Sequence, residues 1–463
     1  MEIVALNDGA GQRAPGESQS APGADPVSSC LAFKGWRQSA SGLTIKMGCS
    51  RFLKQPRGEE KIATIKPLAS LGFRDFRLLF FTQPLIQLGS GMRNIGNAFQ
   101  VYQLTGDARL LGLTFLFQGI PALLMGFLGG SLADLFDRRR LLQIVVTVEA
   151  LLALLLAGLT VSGEIQVWHI YTVTFLCALL DSTTNPTQQA MISNLVPPTH
   201  LMNAMALRST TGQAASMIGP LLGGVAIDTL GAGFVYAADA LLLLPAFIML
   251  SMLHVRPEKT VTKPRLSWAF IFDGLRFTLK TPALLALVLL DTVTMVLGFY
   301  PAMMPVFARD VLQVGASGLG LLMAAPAFGA MLGFVGILLL GNIRKKGVVI
   351  LAVTLGHAIV LFAFSQATWL PAAVVLVALL GLLDSMSMTV RSTSFSELAP
   401  DHVRGRVMSV LYISAVSANS LGGAYLGFAT AALGPRDALG TGAIVAGVFT
   451  LLVAVFWKKV RQM

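Results

Sequence analysis

From Phe76 onward the chain is written in apolar runs of about 20 residues, the length at which a helix rising ~1.5 Å per residue crosses roughly 30 Å of hydrocarbon. Runs such as Leu141 to Leu159 are apolar on every face, so the alternating pattern of a transmembrane β-strand is excluded and helices are the only reading. Twelve such runs are expected, at 78–102, 108–132, 140–162, 167–192, 203–228, 234–254, 282–306, 316–340, 347–366, 370–395, 405–431 and 438–457. The composition agrees: 54% of the 463 residues are hydrophobic and only 12% charged, against about 25% charged in soluble chains. A formal net charge of +11 would point to nucleic acid in a soluble protein, but its placement is topological. The even-numbered breaks hold Arg138 to Arg140, the cluster from Arg256 to Lys280, Arg344 to Lys346, Arg404 and Arg406, and the chain ends in Lys458, Lys459 and Arg461; the odd breaks hold Arg109, Arg309 and Arg436. The positive-inside rule then puts the even breaks and both termini in the cytoplasm. A multi-pass protein of the cytoplasmic (inner) membrane, bathed in lipid and without a nucleic-acid partner, is the expectation.

Residues 1–70 differ in composition, with Gly-, Pro- and Ser-rich stretches such as residues 9–29 that bury too little apolar surface to offset backbone ordering. They are expected to be a disordered N-terminal extension without a secretory signal, either a regulatory tail or sequence upstream of a start at Met47. Cys30, Cys49 and Cys177 form no paired pattern and no Cys/His cluster, so a disulfide framework and a metal site are unsupported.

The longest charged connection, 256–280, divides residues 71–255 from residues 281–463. An internal repeat matches that division. At one offset of 203 residues, Leu180-Asp181-Ser182 meets Leu383-Asp384-Ser385, Ser193 to Pro197 meets Ser396 to Pro400, and Gly219 and Gly224 meet Gly422 and Gly427. The expected fold is therefore all-α, twelve transmembrane helices in two pseudo-symmetric six-helix bundles joined by a cytoplasmic linker. In such repeats substrate binds near the midplane between halves that rock against each other.

After the second run stands Gly129-Gly130-Ser131-Leu132-Ala133-Asp134-Leu135-Phe136-Asp137-Arg138-Arg139-Arg140. Here the sequence resembles the major facilitator superfamily, over about residues 70–460. In the family pattern a basic residue stands at Leu135 and a glycine at Asp137. The resemblance implies a cytoplasmic gate in which Gly130, Asp134, Arg138 and Arg139 latch the halves together, with Arg404 at the foot of span eleven as partner; the plainer alternative is that these arginines only anchor topology. In span five, Gly219-Pro220-Leu221-Leu222-Gly223-Gly224 is similar to the fifth-helix motif of superfamily antiporters and implies export. Its physical content is close helix approach at Gly219, Gly223 and Gly224 with a backbone relaxed by Pro220, and simple packing is the competing reading. The stretch Leu195 to Leu207 with that motif resembles the subgroup of siderophore exporters of the enterobactin type and macrolide efflux proteins.

An ionisable side chain at the centre of a span costs about 2.5 to 3.5 kcal/mol or more, which makes each a functional candidate. Ser90, Arg93, Asn97 and Gln100 share one face of span one, expected to look into a cavity. Asp181, Asn185 and Gln188 do the same on span four, Asp384, Ser387 and Arg391 on span ten, Asp291 and Thr294 on span seven, and Arg208, Thr211 and Ser216 on span five. Asp291, Asp181 and Asp384 are the candidates for proton coupling, since a buried carboxylate that takes a proton can exchange it against substrate; as symmetric helix-pairing groups Asp181 and Asp384 would serve structure instead. Arg93, Asn97, Gln100, Asn185, Gln188, Arg391 and Thr294 are the candidate substrate contacts. Arg93 offers a bidentate fork to an anionic ligand, unless it is only the counter-ion of an intramembrane Asp. Glu149 reads as an interhelical contact and His357 as structural. No nucleophile triad, P-loop or dinucleotide fingerprint is present in the sequence, so neither an enzyme nor a cofactor is expected. The function expected is secondary transport: proton-coupled export of a small amphiphilic molecule by a monomer working through alternating access. The alternatives are a broad-range drug/proton antiporter and a non-transporting membrane sensor.

Overall fold

In the computed structural model of the protein, the residues described are 68–135, 137–254, 268–341, 343–401 and 403–462, with side chains given except at 126–135 and 268–272. The extension expected at 1–70 lies almost entirely outside them, as does the linker up to residue 267. All regular structure among the described residues is helical.

A 3-10 turn at Ala69–Gly72 leads into α1 (Arg74–Thr105), followed by α2 (Ala108–Leu135), α3 (Arg138–Val161), α4 (Val167–Leu195), α5 (Pro198–Leu230) and α6 (Ala232–Ser251). A linker helix α7 (Trp268–Lys280) precedes α8 (Pro282–Gly298), which continues through a 3-10 turn at Tyr300–Met303, α9 (Met304–Val306) and a π-helical turn at Phe307–Val311. Then come α10 (Ala316–Leu340), α11 (Lys346–Ser365), α12 (Leu370–Leu398), α13 (Arg404–Leu433), α14 (Pro435–Phe456) and the short α15 (Lys458–Arg461). Among the described residues nine helical stretches are long and apolar enough to cross a bilayer. Helices α1, α4 and α5 are at least as long but carry Arg93, Asp181 and Arg208 among amides and hydroxyls, and these polar groups account for their lower apolarity.

The helix ends follow local chemistry. Asp137, standing where the superfamily pattern has glycine, caps α3: its carboxylate accepts from the backbone N–H groups of Arg139 and Arg140 at 2.9 and 3.2 Å, satisfying donors that no intrahelical carbonyl reaches. Gly106 closes α1 in the left-handed region at φ 60°, where a Cβ would be strained. Pro84, Pro121, Pro186, Pro220, Pro245 and Pro326 sit inside helices, a position tolerated where neighbouring helices re-satisfy the freed carbonyls.

The packing repeats along with the sequence. Helix α1 packs on α5 and α6, α2 on α4, and α3 on α6 and α4; correspondingly α8 packs on α13 and α14, α10 on α12, and α11 on α14 and α12. Helices α4 and α12 both begin and end 203 residues apart, at Val167–Leu195 and Leu370–Leu398. The two sets meet through α5 against α10 and α2 against α13. Where the sequence shows only a charged connection, α7 docks on α13: Arg406 reaches Asp273 at 2.9 Å, and a Cβ on Gly274 would stand 2.6 Å from the Arg406 carbonyl oxygen.

Candidate substrate cavity and buried charge pairs

At the end of the molecule that holds the α1–α2 turn, the two helix sets are sealed together. The Tyr102 hydroxyl donates to Asp310, and Arg309 donates to the Tyr102 carbonyl at 3.2 Å while its guanidinium lies 5.5 Å from the Tyr102 ring centre. The Asp228 carboxylate on α5 accepts from the backbone N–H groups of Ala316 and Ser317 at 2.9 and 2.7 Å, an anion on the positive end of α10. Beneath these contacts the helices cross on glycine. A Cβ on Gly112 would meet the Gly423 carbonyl at 2.5 Å and the Gly427 Cα at 2.9 Å; one on Gly320 would meet the Pro220 carbonyl at 2.6 Å and the Gly224 Cα at 3.2 Å. These crossings are copies of each other, because Gly224 and Gly427 are repeat partners. In the Asp107–Arg109 pair beside them, the Arg109 guanidinium holds the Asp107 carboxyl below the usual carboxylate range.

Toward the opposite end, where the basic loops lie, a cavity of about 720 Å³ opens between the sets. Its lining comes from the N-terminal to middle parts of α1, α5 and α13, the middle and later parts of α4, α10 and α12, the C-terminal half of α8 with the turn that follows it, and His357 of α11. One wall is amide- and hydroxyl-rich, with Gln83, Gln87, Asn185, Arg208, Ser209, Gln213 and Ser216; the other carries Asp291, Asp384, His357 and Arg391 beside Met295, Phe299, Tyr300, Phe334 and Met388. The titratable groups on the second wall stand in two acid–base pairs: Arg391 with Asp291 at 2.5 Å and His357 with Asp384 at 2.9 Å.

Of the sequence candidates, Asp291, Asp384, Asn185 and Arg391 line this cavity. The α1 stripe is placed elsewhere. Arg93 is 3% exposed and pairs with Asp239 of α6 at 2.6 Å; Asn97 donates to Thr174 of α4, and Gln100 lies between Thr160 of α3 and Tyr236 of α6. That face looks into the α1–α6 set, and the cavity face of α1 is the one carrying Gln83 and Gln87. The physical reason is Asp239, a carboxylate the sequence reading passed over: two opposite charges in an apolar interior are held at contact, since either alone would be costly there. Gln188 and Thr294 are also buried, and the Thr294 hydroxyl bonds back to the Leu290 carbonyl at 2.7 Å.

Asp181 on α4 lies beside Glu149 of α3. This pair is the repeat partner of the cavity pair. Asp181 and Asp384 are 203 residues apart; Glu149 and His357 are 208 apart, the same separation as the first residues of α3 and α11, Arg138 and Lys346. Each set thus holds one titratable pair between equivalent helices, acid with acid in one and acid with imidazole in the other.

At the open end Arg139 donates to the Leu250 carbonyl at 3.1 Å and to Ser251, Arg138 to the Ala190 carbonyl at 3.4 Å, and Arg404 pairs with Asp401 at 2.7 Å and donates to the Ser396 carbonyl at 2.9 Å. Each of these contacts stays within its own helix set. The Gly130 and Asp134 side of the expected latch lies outside the described side chains. In the span-five motif, Gly219 and Gly223 face α1 at Gly91 and Met92, Pro220 stands over Gly91, and Gly224 faces α10.

The profile of the transmembrane secretion effector family matches residues 65–463. The chain belongs to that family, within the major facilitator superfamily. It is 27% identical over 396 residues to the enterobactin exporter of Shigella flexneri, spanning 84% of this chain and 93% of the relative. The solved nucleoside transporter NupG superposes with a TM-score of 0.65 at 14% identity over 83% of this chain and 99% of that one. A bacterial homologue of the human lysosomal transporter Spinster, solved inward-facing and unoccupied, gives 0.61 at 16% identity over 84% and 97%. At such identities the structures carry the fold: this is a multi-pass helical membrane protein of the major facilitator type.

Proposed function

We propose that the protein is a proton-coupled exporter of a small amphiphilic molecule, built of twelve transmembrane helices in two six-helix bundles and working by alternating access as a monomer in the cytoplasmic membrane. The observation that carries the reading is the cavity itself, walled by both helix sets, charged, sealed at one end and open toward the basic loops. With the basic loops and both termini in the cytoplasm, the conformation is inward-facing. The bundles are residues 71–255 and 281–463, and the gate of Asp134, Arg138, Arg139 and Arg404 engages when the cavity opens outward. Kinship with an enterobactin exporter supports outward transport and an amphiphilic substrate.

The coupling proton exchanges at Asp291 against Arg391 and at Asp384 against His357, with Asp181 as the buried counterpart. Asp291 and Arg391 neutralise each other at 2.5 Å; a proton on Asp291 releases the guanidinium for substrate or for another carboxylate. Inward proton movement supplies about 2.3 kcal/mol per charge per 100 mV. In everted vesicles holding the full chain, a transported substrate collapses the imposed pH gradient, and Asp291→Asn abolishes that response while leaving the protein folded. Wild-type antiport that survives Asp291→Asn would move the coupling site to Asp384 or Asp181; the absence of any response across siderophores, macrolides and lipophilic cations would favour a sensor.

A further inference from the structure

Arg208 differs from the other cavity charges. Among the described residues, Asp291 is paired with Arg391 and Asp384 with His357, acid with base, whereas Arg208 on α5 is held by neutral acceptors: its Nε donates to Gln83 Oε1 at 2.6 Å and its Nη2 to Asn185 Oδ1 at 3.0 Å. Two amides from two other helices therefore fix the plane of the guanidinium without cancelling its charge. A guanidinium has five N–H donors, so donors and an uncancelled positive charge remain on the cavity wall that Arg208 lines. Across the cavity the carboxylates that a cationic ligand would need are already engaged, and Phe299 and Phe334 offer an apolar surface.

We propose that Arg208 is the substrate-recognition residue for an anionic head group, a carboxylate or an ionised phenol, on an amphiphile whose apolar body lies against the aromatic wall; Gln83 and Asn185 position it. The inference rests on the exporter reading and narrows its substrate class. It also transfers to Arg208 the role that a bidentate fork would play at Arg93, whose charge Asp239 already compensates.

The test uses the full chain in everted vesicles and three compounds sharing one aryl-alkyl body, ending in a carboxylate, its methyl ester or a primary ammonium. The wild type should take up the carboxylate in preference to the other two. Arg208→Gln should lower its uptake about 10- to 100-fold at limiting concentration, the range for loss of a charge-assisted contact. Arg208→Lys keeps the charge but not the fork; it should raise KM with little change in maximal rate, a split that a folding defect would not give. Melting of each purified variant monitors folding. Preference for the ammonium compound, or carboxylate uptake unchanged in Arg208→Gln, would overturn the proposal and leave the exporter reading standing. Uptake of none of the three by the wild type would overturn both.

Discussion

Arg93 and Asp239 show how a single pair decides the role of a whole helix face. Their contact at 2.6 Å, with side-chain exposures of 4% and 1%, turns one face of α1 inward and leaves the Gln83 face for the cavity. Gly89 makes the approach possible, because a Cβ there would collide with the Asp239 carboxylate. Removing one partner of a buried ion pair costs about 3 to 5 kcal/mol, whereas replacing both by apolar groups of similar volume is often neutral. Arg93→Met alone should therefore lower the melting temperature of the detergent-purified protein sharply, and Arg93→Met with Asp239→Leu should recover most of the loss. A double variant as unstable as the single one would mean that the pair does more than compensate charge. The same reasoning separates Arg93 from Arg208, whose acceptors are amides and whose charge is left for a ligand.

At the scale of elements, the conformation depends on two glycine crossings, α2 on α13 and α5 on α10. Small residues let backbones approach closely where no hydrophobic drive exists between helices in lipid. Gly112→Val puts a branched side chain where the Gly423 carbonyl leaves 2.5 Å, and overpacking of this kind costs about 1 to 3 kcal/mol. The cost falls on the sealed arrangement, so the population should shift roughly tenfold or more toward the alternative. Labelling of Asn419→Cys, a cavity position, by an impermeant maleimide from the basic-loop side should fall accordingly; unchanged labelling would mean that the crossing is not part of the moving seal.

Across the whole molecule, the helical architecture was legible in the apolar run lengths, and the repeat in one fixed offset that α4 and α12 reproduce at both ends. Asp291, Asp384, Asn185 and Arg391 were found by a one-residue argument, the cost of a polar side chain in hydrocarbon, and they line the cavity. Facing was not legible. The stripe at Arg93, Asn97 and Gln100 is a true helical face, but which neighbour it meets depends on α1 packing against α6, a long-range contact that local periodicity does not encode. Asp239 is a lone carboxylate in the apolar run 234–254, and the same cost argument applies to it; its pairing with Arg93 depends on the α1–α6 contact. The Glu149–Asp181 and His357–Asp384 correspondence stayed hidden because the first three helices of each repeat follow a separation of 208 rather than 203.

Alternating access is tested most directly by locking the sealed end. Asp228 reaches the backbone of Ser317 at 2.7 Å, so Asp228→Cys with Ser317→Cys places one thiol on each side of this contact, to be cross-linked by oxidation. Substrate uptake into everted vesicles should be present in the reduced double variant, lost on oxidation and restored by reductant, with Asn419→Cys labelled from the basic-loop side throughout. Equal uptake in the oxidised and reduced states, with the cross-link verified on a gel, would contradict alternating access at this seal.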